Sequence, residues 1–187
     1  MDALVVYCSQ TGSAKTYAAW LAEDLACPVA PLEELDARGT DCDLVVFCSW
    51  FHAASLVGVK RFQAYMAAHP QKRYAVVAVG ATPMPGPDYP ASEHEEAFRR
   101  SFPAERYPDL PWCYCQGNFH FEQLSLADRL MMRAYFAMLR KSAREGNTRD
   151  GVALESMRAG FDGCRRAYLE PLHETLGTGS FVSFKIK

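Results

Sequence analysis

Short apolar runs rich in β-branched residues alternate along the chain with segments of helical period, and this alternation restricts the fold more than any other feature. The strand-like runs are Ala3–Cys8, Pro28–Leu32, Leu44–Ser49, Tyr74–Ala81 and Trp112–Gln116. The helix-period segments are Ala14–Leu25, Val59–Ala68, Glu93–Ser101, Leu126–Arg144 and Leu154–Leu176. Two of the runs are apolar throughout, which is typical of parallel strands covered by helices on both faces. The pattern predicts a three-layer, doubly wound α/β fold with a five-stranded parallel sheet.

Length and composition favour one domain over residues 1–187, since a chain of 187 residues with 49% hydrophobic content buries a sizeable core. No run approaches the roughly 18 apolar residues of a membrane span, and no apolar signal segment follows Met1, so we expect a cytoplasmic protein. Seven cysteines are present, and we interpret those in strand-like runs as reduced, buried thiols. Cys113 and Cys115 lack the second pair that a zinc site needs, and no metal site is predicted.

A hydroxyl-rich turn, Ser9–Thr16, joins the first strand-like run to the first helical segment. Free backbone N–H groups and the positive end of the helix dipole favour a phosphate at such a point. Ser9, Thr11 and Ser13 add hydroxyl donors, and Gly12 permits a tight turn. Serine and threonine are also preferred helix caps, so the turn alone indicates either a phosphate cradle or plain capping.

Several classes of function are disfavoured by what the motifs lack. The turn has neither the G-x-x-x-x-G-K-[ST] of a nucleotide P-loop nor the G-x-G-x-x-G of a dinucleotide site. The chain has no G-x-S-x-G elbow and no compact basic patch interleaved with stacking aromatic residues. A hydrolase and a nucleic-acid-binding protein are therefore not expected, and no catalytic residue is predicted.

Two further loops follow predicted strands. One is Ser49–Ala54, and the other is the proline-rich Gly80–Tyr89, which cannot be helical. In open α/β sheets, ligands bind outside the carboxyl ends of the strands. We therefore expect these two loops and the hydroxyl-rich turn to converge on one site.

With these three segments in this order, the chain resembles the flavodoxin family. The resemblance implies a parallel sheet of order 2-1-3-4-5 and FMN as the cofactor, with its phosphate in a T/S-x-T-G-x-T turn. Ser9-Gln10-Thr11-Gly12-Ser13 fits the start of that turn, whereas Ala14 stands where the family usually has threonine. One phosphate hydroxyl is either missing or supplied by Thr16.

The later half of the chain is most similar to flavodoxin-domain proteins related to the menaquinone-linked protoporphyrinogen oxidase of bacteria. Those proteins carry a helical insertion after the last strand. The matching segment here is 116–147.

The resemblance also implies roles for the two later loops. Trp50 and Phe51 are candidates for stacking on the flavin ring, and His52 either contacts the flavin or lies at the surface. Tyr89 either covers the other ring face or packs under its own loop. Backbone N–H groups that would reach the pyrimidine edge of the ring belong to Ser49, Gly80, Ala81 and Thr82. Asn118–Phe121 either lines the same rim or forms a hydrophobic plug.

Three functions remain open from the sequence: an FMN-dependent oxidoreductase, a small electron carrier, or a cofactor-free interaction protein. Residues 1–96 carry a net charge of −6 and residues 97–187 a net charge of +4. Flavodoxins that act as carriers are typically strongly acidic, so this balance favours an oxidoreductase acting on a quinone- or porphyrinogen-type molecule or on a redox partner protein. Segment 126–144 carries an arginine stripe, which either lies beside a buried face in water or contacts a membrane or an acidic partner.

Overall fold

The computed structural model describes residues 2–177, and its strands and helices follow the apolar periodicity of the chain. The strands are β1 (Ala3–Tyr7), β2 (Val29–Pro31), β3 (Leu44–His52), β4 (Ser55–Leu56), β5 (Arg73–Gly80) and β6 (Trp112–Gln116). The helices are α1 (Ser13–Asp24), α2 (Leu35–Arg38), α3 (Val59–Ala68), α4 (Ala91–Ser101), α5 (Leu126–Arg144), α6 (Thr148–Ala159) and α7 (Glu170–Gly177).

Five parallel strands form the sheet in the order β2-β1-β3-β5-β6. Counted among the parallel strands alone this order is 2-1-3-4-5, which confirms the predicted α/β fold class. The register pairs Val5 with Val46 between β1 and β3, and Cys48 with Val77 between β3 and β5. The two-residue strand β4, which the sequence did not predict, runs antiparallel to the end of β3 and is the sixth strand of the described residues.

By its internal contacts the chain forms two compact units. Among the described residues, the core unit comprises 2–116 and 164–177, and the helical unit is Gly117–Gly163. The predicted single domain with an insertion over 116–147 stays a prediction. Tyr17 of α1 links the two chain segments that form the core unit. Its hydroxyl donates to the Gln116 carbonyl at 2.6 Å and accepts from the Arg165 N–H at 3.0 Å.

The core unit buries both faces of its sheet, because successive side chains of a strand point to opposite faces. Val45 and Phe47 of β3 join a cluster with side chains of α3 and α4. Val46 and Cys48 join the other cluster, with side chains of α1 and α7. The three layers are therefore α1 and α7, the sheet, and α3 with α4.

The prediction of one helix over Leu154–Leu176 is wrong. Helix α6 ends at Ala159, a 3-10 turn occupies Arg166–Leu169, and α7 begins at Glu170. Gly160 has a φ of +74°, and a Cβ there would lie 3.0 Å from Nδ1 of His120 and 3.2 Å from the carbonyl oxygen of Phe119. Helix α6 ends before Gly160 because the positive φ of this residue lies outside the helical range. Glycine suits the position, because other residues rarely adopt that conformation and the close contacts leave little room for a side chain.

The helical unit contains α5, α6 and an isolated antiparallel β-bridge. In this bridge, Phe119 and Phe161 exchange two backbone hydrogen bonds of 2.8 Å. The Ser125 hydroxyl caps α5 by accepting from the Asp128 N–H, and the Asn147 side chain caps α6 by accepting from the Asp150 N–H. These caps satisfy N–H groups that have no partner within the helix.

Candidate functional site

The Ser9 side chain and a backbone hydrogen bond to β3 fix the shape of the turn after β1. Ser9 Oγ accepts a 3.1 Å hydrogen bond from the Gly12 N–H, and the Cys8 N–H donates to the Cys48 carbonyl at 3.0 Å. Gly12 has a φ of +98°, and a Cβ there would meet nothing within 4 Å. The Ser9 hydroxyl therefore organises the turn, keeps its own proton to donate, and leaves an open space beside Gly12.

The first turn of helix α1 directs its backbone N–H groups toward this turn. Its ladder of backbone hydrogen bonds begins where the Thr16 N–H donates to the Gly12 carbonyl at 2.9 Å, so the first-turn N–H groups have no carbonyl four residues earlier in the helix. The Thr16 hydroxyl donates to the same carbonyl at 3.2 Å. Thr16 has thus used its hydroxyl proton inside the helix, which favours a missing phosphate hydroxyl at position 14 over its supply by Thr16.

A cation lies at the same end of α1, and the sequence prediction did not include it. The exposed Lys15 lies in the first turn of α1, and its Nζ is 5.9 Å from the centre of the Tyr7 ring. The first turn contains no acidic residue. A lysine at the positive end of a helix dipole is unfavourable by itself, and an anion between the two would relieve that repulsion.

The carboxyl end of β3 sends its aromatic side chains to opposite faces. Trp50 packs against the cluster on the α1 side, whereas Phe51 packs against the cluster on the α3 and α4 side. The rings of Trp50 and His52 lie 5.2 Å apart at an interplanar angle of 66°. Of the two predicted stacking residues, only Trp50 shares the α1 face of the sheet.

The predicted loop at Ser49–Ala54 is a hairpin, because β3 continues to His52 and turns back into β4. Ser49 is fully buried, its hydroxyl donates to the Val57 carbonyl at 2.6 Å, and its main chain is paired with Ala78 of β5. The tip residues Ala53 and Ala54 have φ values of +46° and +66°. Positive φ at both tip positions is typical of a type I′ hairpin turn, and that conformation is strained for alanine.

Ser101 of α4 anchors this hairpin. Its hydroxyl accepts a 2.8 Å hydrogen bond from the Leu56 N–H and lies 3.3 Å from the Ser55 hydroxyl. The strained tip is therefore held by buried contacts behind it.

The proline-rich loop after β5 is fixed by residues distant in sequence. The Tyr114 hydroxyl donates to the Thr82 carbonyl at 2.6 Å, and the His94 Nε2 lies 2.9 Å from the Pro83 carbonyl, to which it donates. The rings of His94 and Tyr114 lie 4.1 Å apart. A Cβ at Gly80 would lie 2.7 Å from the Tyr114 hydroxyl oxygen, so glycine at 80 permits this arrangement.

The predicted residues of this loop lie at the same edge of the sheet as the turn. Gly80 ends β5, Ala81 and Thr82 follow it, and Tyr89 closes a tight turn with Gly86 through two backbone hydrogen bonds of 2.9 and 3.2 Å. The carboxyl ends of parallel strands share one edge, so the turn, the hairpin and this loop surround a common area of the core unit.

Two groups near this edge stay protonated at neutral pH. Burial, with a smaller contribution from the nearby Glu33 carboxylate, raises the pKa of the Cys8 thiol to about 11. Burial also raises the pKa of Tyr114. Neither group carries a charge into the site, and a protonated thiol is a poor nucleophile.

The thiol pair of β6 is packed in the core. Cys113 and Cys115 are buried with their sulfurs 3.8 Å apart, and Cys115 also contacts the Tyr168 carbonyl. Among residues 2–177, no group of three His, Cys, Asp or Glu side chains is arranged to hold a metal ion.

A doubly wound parallel sheet with a hydroxyl-rich turn between its first strand and first helix is typical of α/β proteins that bind nucleotide-type cofactors at the carboxyl edge of the sheet. A family model described as a flavodoxin domain matches residues 4–145. The chain therefore belongs to the flavodoxin-domain family. Flavodoxin domains are FMN-binding redox proteins, and FMN is the cofactor that this family implies.

Solved structures of low identity are similar to the chain, whereas no curated protein matches it. A flavodoxin from the domain Archaea is 20% identical, with 52% of this chain and 76% of that chain covered and a TM-score of 0.38. The Trp repressor binding protein of Bacillus subtilis is 14% identical, with 62% and 83% covered and a TM-score of 0.38. A WrbA-like flavodoxin from Agrobacterium tumefaciens is 15% identical, with 77% and 98% covered and a TM-score of 0.41.

The donors of the core unit fit the phosphate of FMN. A Cβ at Gly12 would meet nothing within 4 Å, and the same turn carries the Ser9 and Thr11 hydroxyl groups, the first-turn N–H groups of α1 and the Lys15 ammonium group. These are hydrogen-bond donors or cations, which is the donor set that a phosphate dianion requires.

Proposed function

We propose that this protein is an FMN-dependent oxidoreductase of the flavodoxin family that acts on a quinone- or porphyrinogen-type molecule. The contact between Trp50 and His52, on the sheet face against which α1 packs, carries the proposal. It provides an aromatic surface and an imidazole ring at the same edge of the sheet as the turn after β1.

In this proposal the turn after β1 holds the phosphate. The hydroxyl groups of Ser9, Thr11 and Ser13 and the backbone of Gln10, Gly12 and Ala14 form the cradle. The cradle lacks the hydroxyl that a threonine at 14 would supply, so backbone N–H groups and Lys15 contribute more of the binding. Charge-assisted hydrogen bonds of this kind are worth about 1.5–3 kcal/mol each.

Bound FMN supplies the redox chemistry, and the protein sets its position and potential. Trp50 offers its ring for stacking. His52 offers a ring nitrogen that donates a hydrogen bond or holds a proton where negative charge develops. The loop 80–89, held in place by His94 and Tyr114, offers the backbone N–H groups of Gly80, Ala81 and Thr82, with Tyr89 beside them.

The charge distribution supports an oxidoreductase over a soluble carrier. The net charge of the whole chain is only −2, and its second half is basic. A strongly acidic surface is what steers a carrier to basic reductases. The quinone or porphyrinogen substrate class rests on the resemblance of the later half of the sequence to protoporphyrinogen oxidase-related proteins, and that resemblance is itself part of the proposal. A cytoplasmic location is part of the proposal, because it would keep the seven free cysteines reduced.

The test begins with flavin binding. The purified protein is titrated with FMN and with riboflavin, and quenching of flavin fluorescence gives both dissociation constants. We expect tight binding of FMN and weaker binding of riboflavin, which lacks the phosphate. Absence of FMN binding would reject the proposal and favour the cofactor-free interaction protein.

Turnover is tested next. The FMN-loaded protein is photoreduced without oxygen and mixed in a stopped-flow instrument with menadione, which takes up two electrons and two protons, or with oxidised ferredoxin as a one-electron partner. We expect menadione to be reduced faster, and His52→Gln to slow this step. The matched control is His173→Gln, which removes a histidine of α7 that pairs with Asp24 of α1. Faster transfer to ferredoxin would instead support the electron carrier.

A further inference from the structure

Exposed apolar side chains are concentrated on one helix of the helical unit. Of the large hydrophobic residues exposed within residues 2–177, five belong to α5: Leu126, Leu130, Met131, Tyr135 and Met138. Leu126, Leu130 and Met138 are 84%, 69% and 58% exposed. Positions 126, 130, 134 and 138 follow the four-residue spacing of one helix face, and position 134 is alanine.

This face is not the one that packs inside the helical unit. Phe136 and Leu139 are buried on the opposite side of α5, where the Phe121 ring lies 5.8 Å from that of Phe136. A helix with two apolar faces buries one in its own unit and needs a partner for the other. We call the exposed side the α5 face.

Unpaired arginines border the α5 face. Arg133, Arg140 and Arg144 lie along one flank at helical spacing, are exposed, and have no carboxylate partner within residues 2–177. Helix α5 contains five lysines and arginines against one aspartate, a net charge of +4. An apolar surface flanked by exposed guanidinium groups is complementary in polarity and charge to a surface in which an apolar layer lies next to anionic groups.

We propose that the α5 face binds the surface of an anionic lipid bilayer. The leucine and methionine side chains would enter the boundary between acyl chains and headgroups, while the flanking arginines extend to the lipid phosphates. A second copy of the chain fits less well, because two helices of charge +4 would be brought together. In residues 2–177 no helix is long and apolar enough to cross a membrane, so the contact would lie in the plane of the interface.

The proposal rests on α5 and not on the cofactor, so the two are tested separately. The full-length protein is sedimented with vesicles of phosphatidylcholine alone or mixed with phosphatidylglycerol. We expect binding to the anionic vesicles only. Raising NaCl from about 0.1 to 0.5 M would weaken it, since salt screens the arginines.

Two double variants separate the contributions. Arg133→Gln with Arg140→Gln should weaken binding by about fivefold per arginine, because a basic residue at an anionic surface contributes about 1 kcal/mol. Leu130→Gln with Met138→Gln keeps the charge and should weaken binding by about tenfold or more. Both pairs are exposed, so circular dichroism should show unchanged helix content and titration an unchanged FMN affinity.

The controls remove the same kinds of side chain from the core unit. Val29→Gln and Arg100→Gln take away an exposed apolar and an exposed basic side chain and should sediment like the wild type. Failure of the wild type to bind anionic vesicles, or equal binding by every variant, would overturn the proposal. A wild-type dimer that Leu130→Gln with Met138→Gln makes monomeric, without vesicle binding, would overturn it in favour of self-association.

Discussion

Gly12 and Gly146 provide a matched pair for testing the proposal that the turn after β1 binds a phosphate. Their φ values are +98° and +100°, and at either position an added Cβ would meet nothing within 4 Å. Alanine at either site therefore costs conformational energy alone, about 1–2 kcal/mol, part of which is offset by the lower entropy of the unfolded chain. We expect Gly12→Ala and Gly146→Ala each to lower the free energy of unfolding by about 1 kcal/mol.

Only Gly12→Ala should affect FMN. If the strained residue relaxes, the first-turn N–H groups of α1 shift relative to the Ser9 hydroxyl, which accepts from the Gly12 N–H. Loss of one charge-assisted hydrogen bond of about 1.5–3 kcal/mol corresponds to roughly a 10- to 100-fold higher dissociation constant. Riboflavin has no phosphate, so its affinity should be unchanged.

The assay combines flavin fluorescence quenching with urea unfolding followed by circular dichroism. Gly146 lies in the helical unit, so its variant reports the effect of left-handed strain away from the turn. Two results would refute the reasoning. One is a Gly12→Ala protein that is destabilised but keeps the wild-type affinity for FMN. The other is an equal loss of affinity in both variants, which would attribute the effect to general destabilisation.

Three further predictions concern the same edge of the sheet. Ala54→Gly should raise the free energy of unfolding by about 1 kcal/mol in a urea titration, because it relieves a left-handed alanine; a loss of stability would contradict the strain. Lys15→Met should raise the FMN dissociation constant several-fold at low salt and little at high salt. Lys60→Met, another first-turn lysine, is its control and should match the wild type at both. The Cys8 thiol has a folded pKa of about 11 against 9.0 in the unfolded chain, so its contribution to stability is complete below pH 9 and is lost as pH rises to 11. Cys8→Ala should therefore show a shallower fall of unfolding free energy between pH 9 and 11, and an equally steep fall would reject this contribution.

Much of the fold follows from local pattern. The runs at 44–48 and 75–79 are apolar throughout and form central strands, since only a strand covered on both faces tolerates such a run. The hairpin of β3 and β4 carries no such signal. Its tip is Ala53-Ala54 rather than a glycine-containing pair, and it is held by Ser101, 46 residues after Ser55. A contact between residues so far apart in the sequence cannot be detected from the pattern of neighbouring residues.

The helix boundaries near the end of the chain show the same limit. The apolar periodicity from Leu154 to Leu176 favours one helix although the segment contains Gly160, Gly163 and Pro171, because an isolated glycine within a helical pattern is tolerated in many proteins. Here Gly160 ends α6 because Phe161 pairs with Phe119, far upstream, and leaves no room for a side chain at 160. The backbone pairing outweighs the helical pattern.

The sequence by itself determined the α/β class, the position of the hydroxyl-rich turn between the first strand and the first helix, and the edge of the sheet at which the loops after the strands lie. These depend on periodicity, turn chemistry and chain direction, which are local properties. Only the tertiary structure decided that Trp50 and His52 share the α1 face while Phe51 does not, that Ser49 and Thr16 use their hydroxyl groups inside the fold, and that His94 and Tyr114 fix the loop after β5. Those outcomes depend on which distant groups meet, and a hydroxyl or ring has no fixed partner until the chain has packed.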